Sequence, residues 1–256
     1  MEKEGNKTYY FTATLSPAEY CRDFNPGELN LTDDYKLDIF FNGITIWNPN
    51  IKINFAETYP LVREAFDLVI SAFIFREYVI NKRIFRLSFS IQRCIEAMDV
   101  KAYSNLIWTL DYPGKIYTPN KNALVNVTWR RVAKLFPAVN ESVNHKIALK
   151  DFFACINDLG DNAFFFAYRI IEDIKRAVDL EKGIDDEKDW SGLHSVLHTD
   201  KVFMEPLISV AKDVRHGNLN SKIIINSRKK EEREKILGIA FELMKREFKR
   251  KFSTFL

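Results

Sequence analysis

The sequence predicts an α+β fold in two parts: an N-terminal antiparallel β-meander packed on a long apolar helix, then an all-α helical-bundle half. Three observations carry this. Before residue 58, and again at 85–91, apolar and polar side chains alternate at a period of two, the pattern of half-buried strands. Between them lies a segment apolar on more than one helical face, which needs cover on several sides. After residue 120 apolar residues recur three and four apart, punctuated by Gly and Pro. The domains are therefore read as 1–120, β-rich, and 121–256, a helical bundle.

In chain order, Tyr9, Phe11, Ala13 and Leu15 alternate with Tyr10, Thr12 and Thr14 in a first strand. Ser16-Pro17 resembles an N-cap followed by Pro at the first helical position, opening a short helical turn to Phe24. Leu37, Ile39 and Phe41 precede Asn42-Gly43, and Ile44 to Trp47 follow it. Asn-Gly tolerates the positive φ of a type I′ turn, so a hairpin is expected there. Ile51, Ile53 and Phe55 make another strand. Thr58 and Pro60 open the long helix, to about Glu77, with Leu61, Ala65, Leu68, Ala72 and Phe75 on one face. Phe85, Leu87, Phe89 and Ile91 form the last strand, and 94–120 shows no clear period.

The second half reads as helices. Val125, Trp129, Val132 and Phe136 make a stripe that Pro137 ends. Ala148, Phe152, Ile156 and Leu159 make the next, with Gly160 placed as its C-cap. Asp161 or Asn162 caps a helix carrying Phe164, Ala167, Ile171, Ile174 and Val178, which Gly183 ends. An acidic loop, Asp185 to Asp189, leads to Trp190 and a short helix with Leu193 and Leu197. Leu207, Val210, Ala211 and Val214 form a stripe closed by His216-Gly217. The last helix, about Arg228 to Phe252, turns Leu237, Phe241, Met244, Phe248 and Phe252 inward.

The chain has 256 residues, 46% of them hydrophobic, which excludes a disordered chain, and its nine Gly and eight Pro exclude a collagen-like one. The net charge of +3 says little, but residues 221–256 hold 11 Lys and Arg against 5 Asp and Glu. A slightly acidic body carries a basic final helix. No apolar stretch opens the chain, and no run approaches the roughly 20 residues of a spanning helix, so a cytoplasmic protein without a membrane span is expected. Cys21, Cys94 and Cys155 are odd in number and far apart, which leaves no disulfide framework. Neither phosphate-binding Gly loops nor a GxSxG elbow occurs, and no cofactor is expected.

His194 and His198 are four apart but lack the Glu of a zinc-protease helix and an evident third ligand, so no metal site is expected. In Ala211 to Gly217, Arg215 and His216 lie in a last helical turn, where cations meet the negative end of the macrodipole, and Gly217 supplies a left-handed cap. Capping alone accounts for this motif. On one helix, neighbours such as Arg215 and His216 stand about 100° apart. Lys245, Arg246, Lys249, Arg250 and Lys251 form two neighbouring i,i+4 rows opposite the last apolar stripe, interrupted by Glu231, Glu232, Glu234, Glu242 and Glu247. That pattern fits a solvated face, a phosphate-contacting surface or a basic helix lying on anionic lipid.

Residues 147–217 resemble the helical core of HEPN-type domains, through Phe164-Phe165-Phe166-Ala167-Tyr168-Arg169-Ile170-Ile171-Glu172, Trp190 and the helix ending Arg215-His216-Gly217. Active members of that class are metal-independent endoribonucleases that bring an Arg and a His together across a dimer, the His following the Arg after four to six residues. Here positions 220 to 222 are Asn220, Ser221 and Lys222, and none of the four His has an Arg at that distance before it. The resemblance therefore implies a degenerate, non-catalytic interaction or RNA-binding protein of prokaryotic stress or defence systems. Its partners would be RNA, met by Lys245, Arg246, Lys249 and Arg250, and a second copy joined through the C-terminal helices. The alternative is a working endoribonuclease, with His216 as base, Arg215 or Arg169 on the developing phosphorane charge, and Glu172 orienting one of them. A third reading is a structural subunit that docks a partner through its basic last helix.

Overall fold

The computed structural model describes residues 60–81 and 128–253 with their side chains. Of the strands Thr8–Ser16 (β1), Gly27–Asn30 (β2), Lys36–Phe40 (β3), Gly43–Asn48 (β4) and Ser88–Ala97 (β5), and of the first residues of helix Phe55–Asn81 (α1), it describes the backbone alone. Among positions described with side chains, 82% are helical and none lies in a strand. The expected α+β class is thus corrected: the described body is all-α. The long apolar helix, read as the centre of a β-rich domain, instead gives its second half to other helices. The strand backbones do not form a meander either, since their order is β2-β3-β4-β1-β5. Their side chains, and with them the expected packing of a sheet on α1, lie outside the described residues.

Local corrections have simple causes. Phe40 pairs with Gly43, which puts Gly43 in a strand rather than in the turn assigned to Asn42-Gly43. Phe55 begins α1 rather than ending a strand, and Pro60 falls inside the helix. The helical turn expected to Phe24 and the boundary near residue 120 lie outside the described residues.

The chain divides into two compact units, Met1–Ile70 with Arg86–Pro137, and Ser71–Phe85 with Ala138–Leu256. In the first, Val62, Phe66 and Val69 of α1 are buried, as are Trp129, Val132 and Phe136 of Val127–Glu141 (α2). Pro137 does not end α2, which runs on to Glu141.

The second unit holds Val143–Asn157 (α3), Asn162–Lys182 (α4), Ser191–Leu197 (α5), Lys201–Arg215 (α6), Lys222–Ser227 (α7) and Lys230–Lys251 (α8). Its centre is aromatic. The Phe75 ring, from the second half of α1, meets Phe152 and Phe248 edge-on, each at 5.1 Å between centroids. Tyr78 meets Phe241 at 5.2 Å, and Phe152 meets Phe241 at 4.9 Å. Such edge-to-face pairs add about 0.5–1.5 kcal/mol each beyond area burial, which makes this cluster a principal fastening of α1, α3 and α8. Cys155 is a buried free thiol that donates to Ala163 O across the α3–α4 turn at 3.3 Å.

Caps set the helix ends. α3 stops at Asn157, earlier than the apolar stripe suggests, and Leu159 is left exposed. Gly183 and Gly217 end α4 and α6 in left-handed conformations, φ +67° and +72°, which a residue without Cβ adopts freely. Asp200 N-caps α6 by accepting from Phe203 N at 2.8 Å. α7, not expected from the sequence, starts at Ser221, whose hydroxyl accepts from Ile224 N and donates to Asp213. Among the described residues no helix is long and apolar enough to cross a membrane.

Candidate functional site

α4 is the spine of the site. Tyr168, Glu172, Lys175, Arg176 and Asp179 recur along it at three- and four-residue spacing, and Arg169 and Asp173 occupy the neighbouring edge. Against it lies the last turn of α6. Tyr168, Ala211, Lys212, Arg215 and His216, with Ile208, line a cavity of about 240 Å³. His216 is the C-cap of α6, its N–H still bonded to Lys212 O at 3.0 Å, and it lines this cavity together with Arg215. Burial pushes the Tyr168 phenol up, helped by negative Glu172, which accepts its hydrogen bond; Arg215 and Arg176 pull the other way.

Arg169 is elsewhere. Its Nε lies 3.1 Å from Asp151 Oδ2 on α3, an ion pair by distance whose N–H is not directed at that oxygen. The structure therefore brings Arg215 and His216 together and ties Glu172 to Tyr168, but leaves Arg169 in a separate pair. Burial of Asp151 outweighs Arg169, and the carboxyl is pushed up to about 6. A carboxyl that holds its proton better folded than unfolded stabilises the fold fully below the unfolded value near 3.8, and that contribution is lost as pH rises through about 6. Asp151→Asn should therefore leave the unfolding free energy from urea melts nearly unchanged at pH 3 and raise it at pH 8, by at most roughly 3 kcal/mol for a shift of this size. A variant less stable than wild type at pH 8 would show that the Arg169 pair, not burial, decides the balance.

A second cavity of about 360 Å³ opens beside the same helix. Glu172, Lys175, Arg176 and Asp179 form one wall, Asn144 another, and Trp190 with the acidic loop a third. Lys175 is buried, paired with Asp179, and holds its Nζ 5.6 Å from the centre of the Trp190 ring.

The basic face of α8 is largely engaged within the molecule. Arg246 bonds Glu242 at 3.2 Å and donates to the last carbonyls of α5, Leu197 O at 3.1 Å and His198 O at 2.9 Å. Arg250 grips Glu181 with two bonds, 2.8 and 2.9 Å, and also Glu247. Lys245 pairs with Glu242 at 3.3 Å. Lys249 is exposed. Arg228 and Arg233 work similarly near the start of α8: Arg228 holds Asp161, and Arg233 donates to Asp158 O and Gly160 O. Much of the positive surplus at the end of the sequence thus satisfies acidic side chains and orphan helix-end carbonyls.

His145 was not among the residues that the sequence singled out. It is buried, its Nδ1 lies 2.6 Å from Ser142 Oγ, and its Nε2 lies 3.0 Å from Oε1 of fully buried Glu247. The tautomer protonated on Nε2 satisfies both bonds, with Ser142 donating and Glu247 accepting. The available signal was the position of Glu247, one residue before inward-facing Phe248 and four after Leu243, inside the apolar stripe. His194 and His198 do not share a helical face, because His198 is the left-handed cap of α5 at φ 51°. Among the described residues no three His, Cys, Asp or Glu converge as a metal site.

All of these residues lie in one segment. Residues 132–250 match the family model described as Domain of unknown function (DUF8168) C-terminal domain. No curated protein and no solved structure matches the chain. The segment similar to DUF8168 spans α3 to α7 and nearly all of α8, so both cavities, the Ser142–His145–Glu247 string and the arginine clamps lie inside it.

Proposed function

We propose that the C-terminal helical unit is a non-catalytic RNA-binding module, a degenerate relative of HEPN-type ribonucleases, that holds phosphates at the end of α6. The observation that carries this reading is which cations are already paired. Arg246 and Arg250 on α8 are spent on carbonyls and carboxylates, and Lys245 on Glu242. Lys212 and Arg215 are exposed, have no ion-pair partner among the described residues, and share a cavity with Tyr168. Unpaired cations exchange condensed counterions for phosphate, and a half-buried tyrosine ring offers a base a stacking surface. The resemblance of residues 147–217 to HEPN-type domains supports RNA as the ligand, and a stress or defence setting belongs to the same reading. The missing Arg–His spacing and the diversion of Arg169 to Asp151 favour binding over cleavage.

The test is binding of labelled single-stranded RNA over a range of salt. Lys212→Gln with Arg215→Gln should weaken binding and lower the log–log salt slope by about 1.4, at about 0.7 for each phosphate no longer neutralised on a single strand. Lys245→Gln with Lys249→Gln should leave the slope in place; if that pair takes the loss instead, the α6 site is wrong. RNA shortened in EDTA by wild type but not by His216→Ala would return the protein to the ribonucleases.

A further inference from the structure

Building on the RNA reading above, we infer that the cavity at the end of α6 seats the terminal phosphomonoester of an RNA strand rather than a stretch of internal backbone. The size of the cavity limits the ligand. Sites for whole small molecules run to roughly 300–1,000 Å³, so a cavity of about 240 Å³ has room for little more than one nucleotide end. Its charge points the same way. Lys212 and Arg215 line it, both are exposed, and neither has an ion-pair partner among the described residues. An internal phosphodiester carries one negative charge, whereas a phosphomonoester near neutrality carries about 1.5 to 2. Two cations on one cavity match the monoester, the Arg215 fork taking two oxygens and Lys212 acting as a point charge.

These two cations are not needed to close the helix. Lys212 O, Asp213 O and Val214 O already accept the N–H groups of His216, Asn218 and Gly217, at 3.0, 2.9 and 3.1 Å. The carbonyls that usually attract a basic side chain at a helix end are thus satisfied by backbone, and the side chains are left for a ligand. Asp213, the acid of the same turn, is engaged by Ser221 Oγ at 2.8 Å. Tyr168 limits the course of the strand. Its hydroxyl donates to Glu172, which puts a carboxylate on the α4 side of the ring. A strand running on past that ring brings its next phosphate against like charge, whereas a strand that ends in the cavity has no next phosphate there. His216 adds an imidazole N–H, a donor in either charge state.

The experiment measures binding of one single-stranded RNA sequence to the full chain, with a 5′-phosphate, with a 3′-phosphate, or with hydroxyls at both ends. At least one phosphorylated form should bind on the order of 10-fold more tightly than the hydroxyl form, the worth of one charge-assisted hydrogen bond. The form that gains identifies the end. Lys212→Gln with Arg215→Gln, both at exposed positions, should bring the three forms to equal affinity. Lys245→Gln with Lys249→Gln should keep the preference. Equal wild-type affinities for all three forms, lowered together by the α6 double variant, would overturn the end site and leave the RNA reading standing. A preference that survives the α6 double variant would place the end elsewhere and overturn it too. No measurable affinity for any form would remove the RNA reading, and the end site with it.

Discussion

Glu247→Ala should destabilise the protein by about 1–3 kcal/mol, the cost of leaving a buried N–H of His145 without its acceptor. Glu247 is fully buried, yet it accepts from His145 Nε2 at 3.0 Å and from Arg250 at 2.8 and 2.9 Å. Burial pushes its carboxyl up, but the bonds from His145 and Arg250 outweigh that and hold it below the usual range. Removing the carboxylate leaves His145 Nε2 without an acceptor among the rings of Phe248 and Phe252, 5.7 and 5.0 Å away. Glu247→Gln keeps the shape and one acceptor, and should cost less. The sign with pH follows from the direction of the shift. A carboxyl depressed in the fold contributes above its unfolded value near 4.5 and loses that contribution as pH falls. Glu181, held down to about 2 by Arg250 and Lys251, acts in the same direction, though it is exposed enough that solvent screening reduces its effect. Urea melts at pH 7 and pH 3 should therefore show a wider gap between wild type and Glu247→Ala at pH 7. A loss under 1 kcal/mol at pH 7 would mean the buried string is not a fastening.

Phe152→Ala should cost about 3–5 kcal/mol, through lost transfer energy and the cavity left behind. The ring is fully buried and lies at the junction of three helices, edge-on to Phe75 at 5.1 Å and Phe241 at 4.9 Å, and 5.9 Å from Tyr78. Phe152→Leu keeps most of the volume and should cost well under half as much. The measurement is the denaturant midpoint at constant m-value. Near-wild-type stability of Phe152→Ala would sever the second half of α1 from this unit.

What could be read from sequence was local. Gly183 and Gly217 marked their helix ends because a left-handed cap has few other solutions. Leu237, Phe241, Met244 and Phe248 marked the inner face of α8, and all four are buried. The α+β class failed because apolar periodicity shows that α1 needs cover but not which elements supply it; Phe75 and Tyr78 find theirs on α3 and α8. Pro137 looked like a stop, yet α2 runs past it. The site was half legible. The sequence singled out Arg215, His216 and Glu172, but held no sign that Arg169 would turn to Asp151 on another helix. The basic face of α8 was misleading for the same reason: the partner of Arg250 is 69 residues away, and that of His145 is 102 away. No window along the chain displays such pairs.

Cys155 gives the α3–α4 junction a built-in clock. Its thiol is buried against Ala163 O, and burial pushes its pKa far up, so the reactive thiolate is scarcely populated while the two helices stay together. Alkylation at that one sulfur, followed by peptide mass, then proceeds through molecules in which the turn has opened. Its rate reports the free energy of that opening without any engineered probe.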